Sequence, residues 1–288
     1  MEVNVNWMDP VWRDWLLTWP LLLFFFAIGQ ELRQELSHTP EKKHLLAPVS
    51  AALGGMLVPA GFYLIFSLFT PAPRTAWGIP MATDLPLALI ALSAFPQITQ
   101  KRIRIFLISL AIADDIGSIL ALGLVTSAHG GVHPTILGAT LGFIWGKRGH
   151  RWTKIAANFV ALPVFIVAAF SVSFDFSLHA LTQPIVWQLI VARVVGKPVG
   201  IICGAFIGYA LLKISHEHTL RLKIQDLYLI GTIASLGLSV ALIFANVGVS
   251  DLRQQVLAIT AIVLTIPFAI ISIAVARFVL GRRVSTTS

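Results

Sequence analysis

Apolar residues fall in nine blocks along the chain, at approximately 15–30, 46–69, 77–94, 103–125, 132–145, 155–173, 187–212, 228–245 and 255–276. No block alternates polar with apolar residues. Membrane barrel strands would instead show about ten residues of alternating polarity. Most blocks approach the roughly 20 helical residues that cross a hydrocarbon core of about 30 Å. The pattern predicts an all-α integral membrane protein, a polytopic helix bundle. The block at 132–145 is the short one: its 14 residues make only about 21 Å of helix. It is either re-entrant or extended back through Thr126.

The polar connections carry a strong asymmetry. Of 21 Lys and Arg, sixteen lie in alternate connections and the C-terminal end: Arg33, Lys42, Lys43; Lys101, Arg102, Arg104; Lys147, Arg148, Arg151, Lys154; Lys213, Arg221, Lys223; and Arg277, Arg282, Arg283. Only Arg13, Arg74 and Arg253 lie on the other side, and Arg193 and Lys197 fall inside the seventh block. Short cytoplasmic loops are enriched in Lys and Arg, so the C-terminus is expected in the cytoplasm and the N-terminus outside. The same alternation supports treating 132–145 as a full crossing. The opening residues lack a basic n-region and a small-residue cleavage site, so the first block is expected to be retained. Trp7, Trp12, Trp15 and Trp19 read as an interfacial belt leading into it.

Composition agrees. Hydrophobic residues make up 57% and charged residues 12% of the 288, with mean hydropathy +0.84 and pI near 10.1. A soluble domain carries about a quarter charged residues, so soluble enzymes and disordered chains are excluded. The net charge of +8 is a topology signal and not a nucleic-acid footprint. The lipid bilayer is the expected partner, and no nucleic acid is. The one cysteine, Cys203, excludes an intramolecular disulfide and a cysteine metal cluster.

Two blocks are interrupted in corresponding places. The third reads WGIPMATDLPLALI, with Pro80 and Pro86 around Thr83-Asp84. Proline removes a backbone donor and clashes with the preceding turn, so this helix is expected to unwind near Asp84. The eighth reads IGTIASLGLSVALIFAN, with Gly231, Ser235, Gly237 and Ser239. Each is the middle of a group of three, and the groups enter the membrane from opposite sides. The chain is expected to be one membrane domain, 1–288, with inverted repeats at 46–125 and 187–276 and two broken helices. Paired broken helices near the midplane are the best sequence pointer to a transporter's site.

Charges remain inside the apolar blocks: Asp84 in the third, Asp114 and Asp115 in the fourth, and Lys197 in the seventh. Each costs about 2.5–3.5 kcal/mol at the centre of a spanning helix. Three carboxylates and one ammonium leave a net −2 if all ionise, which suits the uptake of a cation or protons. A structural ion pair is the plain alternative, but it uses only one acid. Adjacent aspartates point about 100° apart on a helix. A natural division gives Asp114 to Lys197 and Asp115 to a cation, with Asp84 compensating the half-helix ends of the break. Cation and protons then compete for the same oxygens, the minimal mechanism of an antiporter. Gly196, Gly200, Gly204 and Gly208 recur every four residues, a stripe for close helix packing. Gly196 and Pro198 flank Lys197 and are expected to kink the helix there. His133 reads as a structural histidine, and His216, Glu217 and His218 as a solvated loop cluster.

These stretches resemble the NhaA family of sodium/proton antiporters: AWGIPMATDLPLALI, RIFLISLAIADDIGSIL, GGVHPTILGATLGF, VGKPVGI and GQELRQEL. They follow the family's order over most of the chain. The resemblance implies an antiporter exchanging Na⁺ or Li⁺ for H⁺ in the bacterial cytoplasmic (inner) membrane, for pH and sodium homeostasis, with no cofactor. It implies that Asp115 and Asp84 with Thr83 line the site for the transported ion, that Asp114 pairs with Lys197, and that Glu31 and Glu35 belong to a cytoplasmic pH-response region.

The departures are specific. Family members have twelve spans against nine here. One is missing before the first block and two between the fourth and fifth, where a short SAHGG link remains. A homodimer is open, because the family's dimer contacts depend on its N-terminal part. His150 stands where the family carries an acidic pH-response position, and Leu85-Pro86 where it usually has isoleucine-alanine. Two other classes remain: a shortened, non-transporting paralogue acting as a binding or regulatory subunit, and an intramembrane aspartyl protease. The Gly-x-Gly-Asp setting of the latter is absent.

Overall fold

The computed structural model describes residues 19, 20, 22, 23, 25–27, 29, 30, 33, 46–93, 101–127, 134–146, 149–156, 176–212 and 222–284. Glu31, Glu35, His133, the SAHGG link beyond Ser127, the block at 155–173 beyond Ala156 and the His216–His218 cluster lie outside the described residues.

Among the described residues the structure is helical, with no strand. After helical residues at 19–33 come α1 (Leu46–Ser67), a 3-10 helix (Arg74–Met81), α2 (Leu85–Ser93), α3 (Lys101–Ser127), α4 (Pro134–Trp145), α5 (His150–Ala156) and α6 (Leu178–Leu181). Then follow α7 (Pro184–Val191), a π-helical turn (Ala192–Gly196), α8 (Lys197–Leu212), α9 (Ile224–Ala234), α10 (Ser239–Gly248) and α11 (Leu252–Val284). Four stretches are long and apolar enough to cross a membrane: Leu46–Ser67, Ile103–Leu122, Pro184–Leu211 and Leu252–Val275. Together α9 and α10 make a fifth, bent by 55° at its break. The helix α4 covers 12 residues, less than a crossing, and residues 128–133 before it lie outside the described set.

The small-residue stripe of α8 decides how close α8 comes to α1. A Cβ on Gly200 would run into the Gly54 carbonyl oxygen, on Gly204 into that of Ser50, and on Gly208 into the Ser50 hydroxyl and the Ala47 backbone. Gly54 meets Gly200 in return. Glycine at these positions lets two backbones touch, as membrane helices do in the absence of a hydrophobic drive between them. The first helical residues are held to α4 in the same way: Gly138 faces the Leu22 carbonyl, Gly142 that of Phe26, and Gly29 that of Ala139.

The third block does not form one helix. Its first part is 3-10, Ala82 is extended at φ −67°, ψ 140°, and α2 begins only at Leu85. Tyr63 of α1 anchors the entry to this segment, its hydroxyl donating to the Pro73 carbonyl at 2.9 Å. The eighth block is broken at 235–238, between α9 and α10. The seventh stays helical through Pro198, as one stretch from Pro184 to Leu211. The departure from α geometry comes one turn earlier, as the widened π turn that ends at Gly196. Pro198 lies inside this continuous helix, has no N–H to give and crowds the carbonyl four residues back, at Val194, which falls within the widened turn.

Candidate functional site

The two broken blocks cross, and small residues make the crossing possible. Gly78 of the 3-10 helix lies against the ring of Phe244 in α10, where a Cβ would overlap it. Gly237, in the second break, lies against the Ala82 carbonyl of the first. The main chains join directly, with the Asp84 N–H donating to the Leu236 carbonyl at 3.3 Å.

Breaking a helix inside a membrane strands backbone groups that water cannot reach. Here charged side chains meet them. The first turn of α10 presents free N–H groups and the positive end of its dipole. Asp84 accepts there from the Leu238 N–H, from the Ser239 N–H at 2.9 Å, and from the Ser239 hydroxyl. The last carbonyls of the 3-10 helix present the opposite sign. Lys197 donates to the Met81 carbonyl, and Arg193 Nη2 donates to that of Ala82 at 3.1 Å. Each half-helix end thus carries a counter-charge from another element.

Asp114, on α3, faces the same point. Lys197 Nζ lies 3.4 Å from Asp114 Oδ2, and both side chains are buried. The Thr83 side chain is close enough to act on Asp114. The Thr83 hydroxyl, which can donate or accept, and the acceptor Asp114 Oδ1 are nevertheless buried without a hydrogen-bond partner. Asp115, one residue on, is half-buried, the most open of the three carboxylates the sequence singles out. Among the described residues no three His, Cys, Asp or Glu side chains gather as in a resident metal centre.

The structure therefore brings Thr83, Asp84, Asp114 and Lys197 to one point, with Asp115 beside them. Arg193 is the residue that sequence reasoning missed. It lies in the seventh block, and its positive charge belongs with those of the buried carboxylates and Lys197. Four residues before Lys197, on the same helical face, it is buried at the crossing and acts on both Asp84 and Asp114. That spacing was the signal. Among the described residues at the crossing, Asp84, Asp114, Asp115, Arg193 and Lys197 sum to −1 when all are ionised, where the sum without Arg193 is −2.

A second polar cluster ties residues 19–33 to the α4–α5 turn. Gln30 is buried and donates to the Gly146 carbonyl at 2.8 Å, and its side-chain oxygen accepts from the Thr153 hydroxyl at 2.5 Å. Arg33 donates to the Phe143 and Ile144 carbonyls at 2.8 and 2.9 Å, capping the negative end of α4. Gly146 takes φ +71° there, the left-handed conformation that closes a helix C-terminus.

The Na⁺/H⁺ antiporter 1 family model matches residues 3–144 and 120–280. The two matches overlap at the junction where the sequence suggests two spans are missing. Several curated proteins are similar. A Na⁺/H⁺ antiporter NhaA 2 of Frankia alni is 30% identical over 83% of this chain and 61% of its own length. One of Myxococcus xanthus, under the same name, is 37% identical over 51% of this chain and 33% of its own. A Na⁺/H⁺ antiporter NhaA of Actinobacillus pleuropneumoniae is 26% identical over 83% of this chain and 75% of its own. The chain spans less than two thirds of the length of the Frankia alni and Myxococcus xanthus proteins.

Proposed function

This chain belongs to the Na⁺/H⁺ antiporter 1 family, and on that footing we propose that it exchanges Na⁺ or Li⁺ for H⁺ across the bacterial cytoplasmic membrane. The observation that carries the proposal is the crossing of two broken elements around Asp84, Asp114, Arg193 and Lys197. A static fold needs no such arrangement. Replacing buried ion pairs with well-packed apolar residues is often neutral or stabilising.

Asp115 is the primary ligand of the transported cation, because it is half-open while Asp84 and Asp114 are buried. The lone pairs of the Thr83 hydroxyl and Asp114 Oδ1, both without a hydrogen-bond partner, complete its shell as the cation loses water. Asp84 acts at the edge of the site. Both its oxygens are engaged by α10, so it couples the cation to the position of that helix. Lys197 compensates Asp114. A proton on Asp115 removes the charge that the cation needs, so the two ligands exclude each other and exchange follows.

The inverted repeats 46–125 and 187–276 supply the two-sidedness: each holds one broken element, and the site lies where these cross. The Lys and Arg asymmetry supports a cytoplasmic C-terminus and an outside N-terminus. Glu31 and Glu35 are proposed for pH response. Gln30 and Arg33, their neighbours in sequence, bond to the α4–α5 turn, which gives such a response a path to α4.

The test is Na⁺-induced collapse of a ΔpH in inverted vesicles from an antiporter-deficient host. Collapse by the wild type and none by Asp115→Asn, with equal membrane insertion, is the expected result. A wild type that inserts and leaves the ΔpH intact would favour the regulatory-subunit reading.

A further inference from the structure

Two complementary groups stand unmatched at the crossing. Asp114 Oδ1 is a buried acceptor without a hydrogen-bond partner, and Arg193 Nε and Nη1 are buried donors without one. Both side chains are 1% exposed. A buried polar group left unpaired costs free energy, and a charged one costs most. Lys197 Nζ holds the Met81 carbonyl, and Arg193 Nη2 holds that of Ala82, the next along the chain. The two cationic heads are therefore neighbours. Asp114 Oδ2 lies 3.4 Å from the lysine head, long against the roughly 2.7–2.9 Å of a charge-assisted hydrogen bond. The carboxylate is thus held loosely by one cation and stands beside a second that has N–H groups to spare. Gly237 leaves that second cation its room, since a Cβ there would stand 2.6 Å from Arg193 Nη2.

We infer that Arg193 is the second partner of Asp114, a positioning residue whose free N–H groups take Oδ1 whenever a cation does not. In the arrangement seen here Oδ1 is open to a cation. That use of Oδ1 comes from the antiport reading, on which this role of Arg193 rests. In the other arrangement the guanidinium turns about its side-chain bonds and fills the same place, so the empty site keeps no bare carboxylate oxygen. The contact between Arg193 and Asp114 stands apart from the antiport reading. It holds whatever partners Asp115 has, and whether or not Lys197 keeps its proton.

The test is a double-mutant cycle on the full chain, purified in detergent and unfolded by heat in Na⁺-free buffer. Lys197→Ala, Arg193→Gln and the double variant are compared with the wild type. If Arg193 reaches Asp114, it holds the carboxylate once Lys197 is gone. Arg193→Gln should then lower Tm at least twice as far in the Lys197→Ala background as in the wild type. A double variant that cannot be recovered, when each single variant can, is the same result in its extreme form. Arg193→Lys in the Lys197→Ala background should recover most of the loss. In an Asp114→Asn background the extra loss should vanish, which packing alone, or the bond to Ala82 alone, would not produce. A crystal structure of Lys197→Ala should show Asp114 within hydrogen-bond distance of Arg193. Equal losses in the two backgrounds, or an Asp114 that does not meet Arg193 in that structure, overturns the inference. So does a Lys197→Ala protein that cannot be recovered folded, because a second partner should hold it together. Na⁺-driven proton flux is read separately, on the wild type in liposomes. Its absence overturns antiport and the role at the cation site, and leaves the contact to the unfolding cycle.

Discussion

The Asp114–Lys197 pair, 3.4 Å apart and buried, is the residue-scale contact with the clearest consequence. Removing Lys197 leaves Asp114 buried with only the charge of Arg193 to offset it, and breaking a buried pair costs about 3–5 kcal/mol. Lys197→Ala should therefore lower thermal stability in detergent sharply, while Lys197→Arg should keep most of it and more of the transport. Equal loss of transport in both variants would mark Lys197 as a proton carrier, since arginine does not deprotonate. Ser239→Ala removes one donor from the Asp84 carboxylate but spares the two main-chain N–H donors. The expected loss is about 1.5–3 kcal/mol, the range for a hydrogen bond to a charged group, read from unfolding in detergent. Asp84, Asp114 and Lys197 were visible in the sequence because charge inside an apolar block is conspicuous. Their partners were not. The Met81 and Ala82 carbonyls and the Leu238 N–H are backbone groups that every residue carries, so no residue type marks them. Arg193 is different: its place four residues before Lys197, inside an apolar block, marks it in the sequence.

Breaks were more legible at the element scale than their shapes. Pro80 and Pro86 announce the first, and a 3-10 helix followed by extended Ala82 realises it. No proline marks the second, at 235–238; Gly237 and two serines are its only local sign. The departure expected around Gly196 and Pro198 takes the form of a π turn over Ala192–Gly196; the proline marks its place, while the π turn leaves no residue signature of its own. The glycine stripe could be read as packing, but not its partner helix, which is set by long-range contact. That contact gives a paired prediction. Gly200→Val would drive a branched side chain into the Gly54 carbonyl and the Val58 side chain. It should destabilise by about 1–3 kcal/mol or more, or prevent stable insertion. Gly61→Ala, on α1 where a Cβ meets nothing within 4 Å, should be tolerated, and stabilise by about 0.5–1 kcal/mol through helix propensity alone. Equal behaviour of the two variants in a thermal-shift series would show that α1 and α8 do not meet along this stripe.

At the scale of the whole molecule, antiport requires that Na⁺ and H⁺ exclude each other at one set of oxygens. Falling pH places a proton on the carboxylate and so weakens cation binding, with no separate sensor. One-proton competition raises the apparent KM for Na⁺ by at most about tenfold per unit of falling pH. The connection after α4 carries Lys147, Arg148, His150, Arg151 and Lys154. Clustered positive charge at a cytoplasmic mouth repels incoming cations, more so at low ionic strength. The expected pH profile is therefore shallow and the Na⁺ affinity salt-dependent; a collapse much steeper than tenfold per unit would show a dedicated sensor at work. The most direct test of mutual exclusion needs no membrane. Purified protein in weakly buffered detergent is mixed with NaCl, LiCl or choline chloride, and the released protons are recorded with a pH dye. Wild type should release protons on Na⁺ or Li⁺ and none on choline, and Asp115→Asn should release none on any of them. No release from the wild type, or equal Na⁺-induced release from Asp115→Asn, would contradict the account.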